Sequence, residues 1–296
     1  MISLFDVDSL IYKAIYKVVS REELREQLSK IDPKKNRKKQ KAAIREWIVE
    51  SSFNKLEQMA YRILNDTEEN YGMRFDKVEF YVTYCLASER KKIDPSYKAK
   101  RQFNKWASKL RAYIVEQSNL DCRYSLRWEA DDLIADRAKA LRKENVDYCV
   151  FSIDKDLIQI PGIHFNYYME KVKGEYKATI PLSEYKANYR ELNQMFFIEK
   201  TKLEAKIYSC VLQYKGLRNV EPRESANFLL EQMIIGDGCD NVKGLPGKGV
   251  VFTKKLFGDH PVDNAKKVIN AYKEHYGEHN YKRPMKIAFR LLKIGI

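Results

Sequence analysis

The sequence predicts an α/β fold with a mainly parallel central sheet flanked by helices, followed by a helical C-terminal region. Three observations predict it. Short apolar segments alternate with longer stretches of helical periodicity through the first half of the chain. After about residue 180 the alternation gives way to stretches that each start near a proline. No apolar run approaches the roughly 18 residues that a membrane helix requires.

Taken in order, Ile2 to Val7 reads as the first strand. Ser20 and Glu23 stand at capping-box spacing ahead of LREQLSK, and Gln40 to Asn70 carries apolar residues at helical intervals before stopping near Gly72. Val78 to Tyr84, Tyr148 to Ile153 and Ile163 to Tyr168 read as three further strands. Pro181, Pro222, Pro261 and Pro284 then mark helix starts, where a missing N–H is not needed. No low-complexity linker or internal repeat separates the parts. The expected organisation is an α/β core over residues 1–180 with a helical region over 181–296 packed on it. The run KKNRKKQK from Lys34 to Lys41 reads as a solvated helix start or a phosphate contact.

Lys plus Arg number 55 against 41 Asp plus Glu, a net charge of +14 and a pI of about 9.3. Such an excess suits a polyanion, above all nucleic acid, as partner. The five cysteines, Cys85, Cys122, Cys149, Cys210 and Cys239, are odd in number and lack CxxC spacing. Neither a disulfide framework nor a cysteine zinc site is suggested, and a soluble, cytoplasmic protein with no membrane partner is expected.

The informative feature is where acids sit in this basic chain. Asp6 and Asp8 end the first strand, and Asp154 and Asp156 follow the third in SIDKDL. In an open parallel sheet both pairs reach the carboxyl rim, where the binding crevice lies. Glu129, Asp131 and Asp132 open a predicted helix in EADDLIA, and Asp237 and Asp240 stand three apart in GDGCDNVKGLPGKG. Two like charges about 4 Å apart repel by roughly 4 kcal/mol at an effective dielectric near ~20, so converging carboxylates require counter-charge. An all-oxygen donor set without His or Cys favours Mg²⁺ or Mn²⁺ over zinc. A pair of such ions is the apparatus of phosphodiester hydrolysis.

These four motifs resemble, in order and spacing over about 245 residues, the 5′-nuclease superfamily. That family holds bacteriophage 5′→3′ exonucleases, flap endonucleases and the 5′-nuclease domain of bacterial DNA polymerase I. The resemblance implies a PIN-like nuclease core and a metal-dependent enzyme cutting DNA 5′→3′ and at 5′ flaps, nicks or single-strand/double-strand junctions, in phage replication within the host cytoplasm. It implies metal-site roles for Asp6, Glu129, Asp131, Asp132, Asp154, Asp156, Asp237 and Asp240, with Asp8 an extra acid seen in some phage members. The cofactor implied is two Mg²⁺, with Mn²⁺ able to substitute.

Gly244, Gly247 and Gly249, with Lys248 between the last two, resemble the hairpin of the family's helix-hairpin-helix (H3TH) element. That element spans about 224–258 here, and its amides grip duplex phosphates, often with a bound K⁺. Lys248 stands where the family carries an apolar residue, and Lys254 or Lys255 substitutes for a downstream lysine. The segment ERKKIDPSYKAKRQFNKW resembles the basic gateway, about 88–120, with Arg90, Tyr97, Lys98 and Arg101 as DNA contacts. Lys98 and Arg101 would serve catalysis by neutralising phosphate charge, and Tyr97 would stack on an unpaired base. Two alternatives stay open: a ribonuclease H-like primer-removing enzyme acting on RNA-DNA hybrids with the same acids, and a non-catalytic DNA-binding scaffold.

Overall fold

The computed structural model describes residues 1–19, 26–27, 29–30, 37–84, 88–101, 104–179, 198–199 and 204–296. The expectations at Ser20, Glu23, Cys85, Pro181 and part of the Lys34 to Lys41 run lie outside these residues. β1 (Ile2–Asp6) leads into α1 (Asp8–Val19), and α2 (Arg37–Tyr71) precedes β2 (Lys77–Tyr81). The short α3 (Glu89–Ile93) and α4 (Lys105–Glu116) lead to β3 (Cys122–Arg123). Then come α5 (Ala130–Lys143), β4 (Tyr148–Ser152) and a 3₁₀ turn over Lys155–Gln159. The sheet is completed by β5 (Gly162–Thr179), β6 (Ile198–Glu199) and β7 (Glu204–Val220).

The strand order is β3-β2-β1-β4-β5-β7-β6. The first five strands pair in parallel, and β5–β7 and β6–β7 are antiparallel. The mainly parallel α/β fold expected from the sequence is therefore present. From β1 the chain first builds outward to β2 and β3, then crosses to β4 on the other side of β1. The direction of winding reverses between β1 and β4, and a crevice opens at such a point outside the carboxyl ends of the strands.

Strand residues that alternate in sequence bury on opposite faces. Phe5 stacks on Phe151 at 5.4 Å between ring centres and leans on Phe80 at 5.6 Å, on the face covered by α1, α2 and α4. Leu4, Tyr81 and Val150 bury on the other face against Ala130, Ile134, Ala138 and Leu141 of α5. Both faces are thus covered, which is why these strands are continuous apolar runs.

The long antiparallel pair β5–β7 corrects the sequence reading in two ways. The fourth strand runs on past Tyr168, and residues 204–220 form sheet where a helical region was expected. Helices take over at α6 (Pro222–Ile235), after which β8 (Gly236–Asp237) and β9 (Val242–Lys243) make a small hairpin. α7 (Val250–Leu256), α8 (Pro261–Tyr276) and α9 (Lys282–Leu292) complete the chain. Pro222 and Pro261 occupy the first turns of their helices, as their fixed φ favours. Met233, Ile234, Val268, Tyr272 and Leu291 bury together as a separate apolar cluster, into which Tyr97 also packs.

Candidate active site

Asp6 is the last residue of β1 and is nearly buried. Its Oδ2 accepts a hydrogen bond from Ser152 Oγ at 2.6 Å, and the same Ser152 oxygen accepts from the Asp154 N–H at 2.9 Å. One serine at the end of β4 therefore ties the two strands across the winding reversal. Burial, then the repulsion of Asp8, Asp154 and Asp131, raises the Asp6 pKa well above the carboxylate range, against the Ser152 hydrogen bond. Asp154 caps the 3₁₀ turn by accepting from the Asp156 N–H at 2.9 Å.

Glu129 and Asp132 form a capping box at the start of α5, and this turns the first helical turn toward the rim. Burial, together with Asp132 and Glu129 and against the pull of Arg90, pushes Asp131 up to about 7. Burial and repulsion from Asp154 and Asp237 bring Asp156 to about 6, although Gln232 donates to it at 2.7 Å. Asp131 and Asp154, predicted from two other motifs, thus stand close enough to Asp6 to raise its pKa. Arg90 stands 3.7 Å from Asp131, whereas no cation pairs with Asp6 or Asp154 among the described residues.

Glu129, Asp237 and Asp240 are matched by cations. Lys98 Nζ lies 2.5 Å from Glu129 and 3.6 Å from Asp240, and Arg101 also pairs with Asp240. Lys155 pairs with Asp237 at 3.0 Å. Burial opposes ionisation of Glu129 and Asp237, but Lys98 and Arg90 for the first, and Lys155 for the second, hold them below the usual carboxylate range. Lys98 itself sits at φ 56, a left-handed conformation costly for a side-chain-bearing residue, and its N–H donates to the Asp240 carbonyl at 2.8 Å.

Three residues stand differently from the sequence expectation. Tyr97, expected to stack on a base, is only 2% exposed, and its hydroxyl is shared between Glu129 at 3.2 Å and Asp240 at 2.8 Å. Arg90, expected to touch DNA, is 5% exposed. Its guanidinium forks onto Asp132 at 2.9 and 2.6 Å, reaches Glu129 at 3.2 Å and donates to the Lys293 carbonyl at 3.1 Å. Asp132 is saturated by that fork, the Glu129 N–H and the Gly295 N–H, so its contacts are those of a brace. Each burial arises because α3 docks against the C-terminal helices, a long-range contact with no local signature.

Sequence reasoning passed over Ser152, Gln232 and Arg111. Ser152 carried a faint signal as the polar end of the apolar strand YCVFS. Gln232 lies in a helix with no motif. Arg111 explains Asp8, whose carboxylate accepts from Arg111 Nε at 2.8 Å and from the Thr83 N–H at 2.9 Å, pinning α4 and the exit of β2 to α1.

In the glycine hairpin, Gly236 takes φ +79 and Gly244 approaches the Ile235 backbone so closely that a Cβ on Gly244 would stand 2.2 Å from the Ile235 carbonyl carbon. This close crossing fixes Asp237 and Asp240 at the tip between β8 and β9. Gly247 takes φ +72, and both it and Gly249 face open space. Lys248 Nζ lies over the Phe252 ring at 4.0 Å.

Among the described residues no three His, Cys, Asp or Glu side chains form a ready-made metal cage. Charge and donor chemistry nevertheless fit divalent ions. The eight predicted acids face Arg90, Lys98, Arg101 and Lys155, four cations in all, leaving an excess of four negative charges when all are ionised. Two divalent cations carry that charge. Lys98, Arg101 and Lys155 draw Glu129, Asp240 and Asp237 onto themselves.

No family model matches the chain, and no curated protein matches it. Among solved structures, a bacteriophage T5 5′-exonuclease with bound zinc is similar at 12% identity and a TM-score of 0.42, over 99% of both chains. A T5 5′-exonuclease mutant is similar at 14% identity and a TM-score of 0.38, covering 82% of this chain and 78% of that one. A T5 flap endonuclease in a pseudo-enzyme-product complex with DNA and metal ions is similar at 12% identity and a TM-score of 0.39, over 98% of both chains.

Proposed function

We propose that the chain is a divalent-metal-dependent 5′ nuclease that hydrolyses DNA phosphodiester bonds at 5′ ends, 5′ flaps and single-strand/double-strand junctions. One observation carries this reading: Asp131 and Asp154 crowd the buried Asp6 at the carboxyl rim, where Ser152 ties Asp6 to Asp154, and Lys98 and Arg101 border them. Among the described residues no cation pairs with Asp6 or Asp154, so a divalent cation would complete the charge balance where the winding reverses.

Asp6, Asp131, Asp154 and Asp156 would hold the metal directly. Glu129, Asp237 and Asp240 would join them once their cations turn outward, and Asp132 would brace Arg90. Divalent ions, when bound, supply an activated water and neutralise the leaving oxygen of an in-line displacement. Lys98 and Arg101 occupy the carboxylates of the free protein and exchange them for the substrate phosphate, where their charge opposes the negative charge that builds as the bond breaks. Ser152 and Gln232 keep Asp6 and Asp156 in place by hydrogen bonds. Gly247 and Gly249, open to solvent beside the hairpin that carries Asp240, and the Lys248 ammonium would face the duplex.

The deciding experiment is cleavage of a 5′-labelled flap DNA and a nicked duplex with Mg²⁺ and with EDTA. Metal-dependent release of product supports the reading, as does its loss in Asp131→Asn with DNA binding retained. Whole flaps indicate an endonuclease and mononucleotides an exonuclease, and a matched RNA flap reports on sugar preference. A second reading, a metal-free DNA-binding scaffold, is favoured by the pairing of Glu129, Asp237 and Asp240 with lysine and arginine. Metal-independent binding with no cleavage in Mg²⁺ or Mn²⁺ would establish it instead.

A further inference from the structure

A groove between α3 and α9 lies outside the site just described. It is lined by Ile93, Lys282, Arg283, Lys286, Ile287 and Arg290. α9, KRPMKIAFRLL, holds four cations and no acid, and all four lie in this lining. Helical spacing explains the grouping: Lys282 and Lys286 are one turn apart, as are Lys286 and Arg290, so their side chains share a face. Ala288, Leu291 and Leu292 bury on the opposite face and dock the helix.

The four side chains are exposed, and none of them forms an ion pair with a carboxylate among the described residues. Glu89 lies within electrostatic reach of Arg290 but is held by Lys92 at 2.6 Å. Four uncompensated cations on one helix face repel each other, which is unfavourable for the isolated protein and favourable for meeting a polyanion. The lining contains no aromatic ring on which an unpaired base could stack. Its cations follow a regular rise instead: from Lys282 to Arg290 the helix climbs about 12 Å, the axial rise of three to four nucleotides of one duplex strand. The groove also adjoins the acidic rim, because Ile93 stands one turn beyond Arg90, whose guanidinium holds both Asp132 and the carbonyl of Lys293, the residue after α9.

We infer that the α3–α9 groove is a second nucleic-acid contact that tracks the phosphate backbone of duplex DNA by charge alone, separately from the glycine hairpin. The inference rests on the nuclease reading for its choice of polyanion. It needs no divalent metal and no cleavage. Each phosphate neutralised releases counterions, so removing a contact lowers the salt dependence of binding by about 0.9 in log–log slope.

The test is fluorescence anisotropy of the full chain with a labelled blunt duplex and with a labelled single strand, in EDTA, across a salt series. In Lys286→Ala/Arg290→Ala the duplex slope should fall by about 2. Wild type should then lose about tenfold more affinity than the variant between about 50 and about 200 mM salt. The charge-conserving Lys286→Arg/Arg290→Lys should restore the slope, and thermal midpoints should match wild type because the side chains are exposed. An unchanged duplex slope overturns the inference, and equal losses on duplex and single strand overturn the assignment to duplex. Wild type that binds no DNA sinks both this inference and the nuclease reading. Wild type that binds and cleaves, with the variant slope intact, sinks this inference alone.

Discussion

Arg90 is where structure and sequence motif assign different work to one side chain, and replacing it by methionine separates them. In the structure its guanidinium is 5% exposed and serves Asp132, Glu129 and the Lys293 carbonyl. Methionine keeps most of the apolar stem and removes the charge. Two nearly buried carboxylates then lose their guanidinium partner and one carbonyl loses a donor, and breaking a buried ion pair from one side costs about 3–5 kcal/mol. With a urea dependence of about 3 kcal/mol per molar, the unfolding midpoint should fall by about 1–2 M. Urea titration followed by circular dichroism reads this directly. The double variant Arg90→Met/Asp132→Asn should recover part of the loss, because the acid that most needs the arginine is then neutral. DNA affinity measured where both proteins are fully folded should change little. An unchanged midpoint accompanied by a large loss of DNA binding would refute the bracing role and return Arg90 to the interface.

Other outcomes follow from the same geometry. Lys98→Ala should slow single-turnover cleavage by about 10²-fold while weakening DNA binding far less, since its charge opposes what develops on the phosphate; equal losses in both would make it a binding residue only. Gly244→Ala should destabilise by about 1–3 kcal/mol because its Cβ meets the Ile235 backbone, whereas Gly249→Ala, facing open space, should stay within about 0.5 kcal/mol in thermal unfolding. Glu79 is 2% exposed and is bonded by Tyr81 at 2.7 Å, Arg137 at 3.1 Å and Lys77 at 2.9 Å. Burial opposes its ionisation, yet these partners bring it from the ordinary 4.5 down to about 2. The unfolded chain therefore binds the extra proton in that window, and the contribution, at most about 3 kcal/mol, is complete above about pH 4.5 and lost as pH falls toward about 2. Glu79→Gln should flatten acid denaturation there, and identical acid profiles would show the pairing to be worthless.

The acids were legible in the sequence because the topology leaves few choices: the rim of a parallel sheet is built from residues just after the strands and at helix starts, and carboxylates stand at those places. Asp6, Asp131 and Asp154 converge as their motifs suggest. The strand cores were legible for a related reason, since Leu4, Phe5, Val150 and Phe151 are buried on both faces and form unbroken apolar runs. What stayed hidden depends on partners far along the chain. Nothing near Tyr97 announces that the C-terminal cluster covers it, and nothing near Asp8 announces Arg111. The β5–β7 pair escaped because neither strand carries the strict alternation of a half-buried sheet or a short turn that would join them. Pro222, by contrast, is a local signal with a local cause, and its helix starts where the proline says.

The clasp between Arg90, Asp132 and the residues after α9 bears on how the site comes into being. Arg90 meets the Lys293 carbonyl 203 positions away, Gly295 meets Asp132 across 163, and Arg101 meets Asp240 across 139. Contacts of such separation form only after long loops have closed, and they come late in folding. A chain with its sheet paired but its last helices undocked would hold Arg90 without the Lys293 carbonyl and Asp132 without the Gly295 N–H. Assembly of the acidic rim is thus tied to completion of the whole architecture, and a partly folded molecule lacks it.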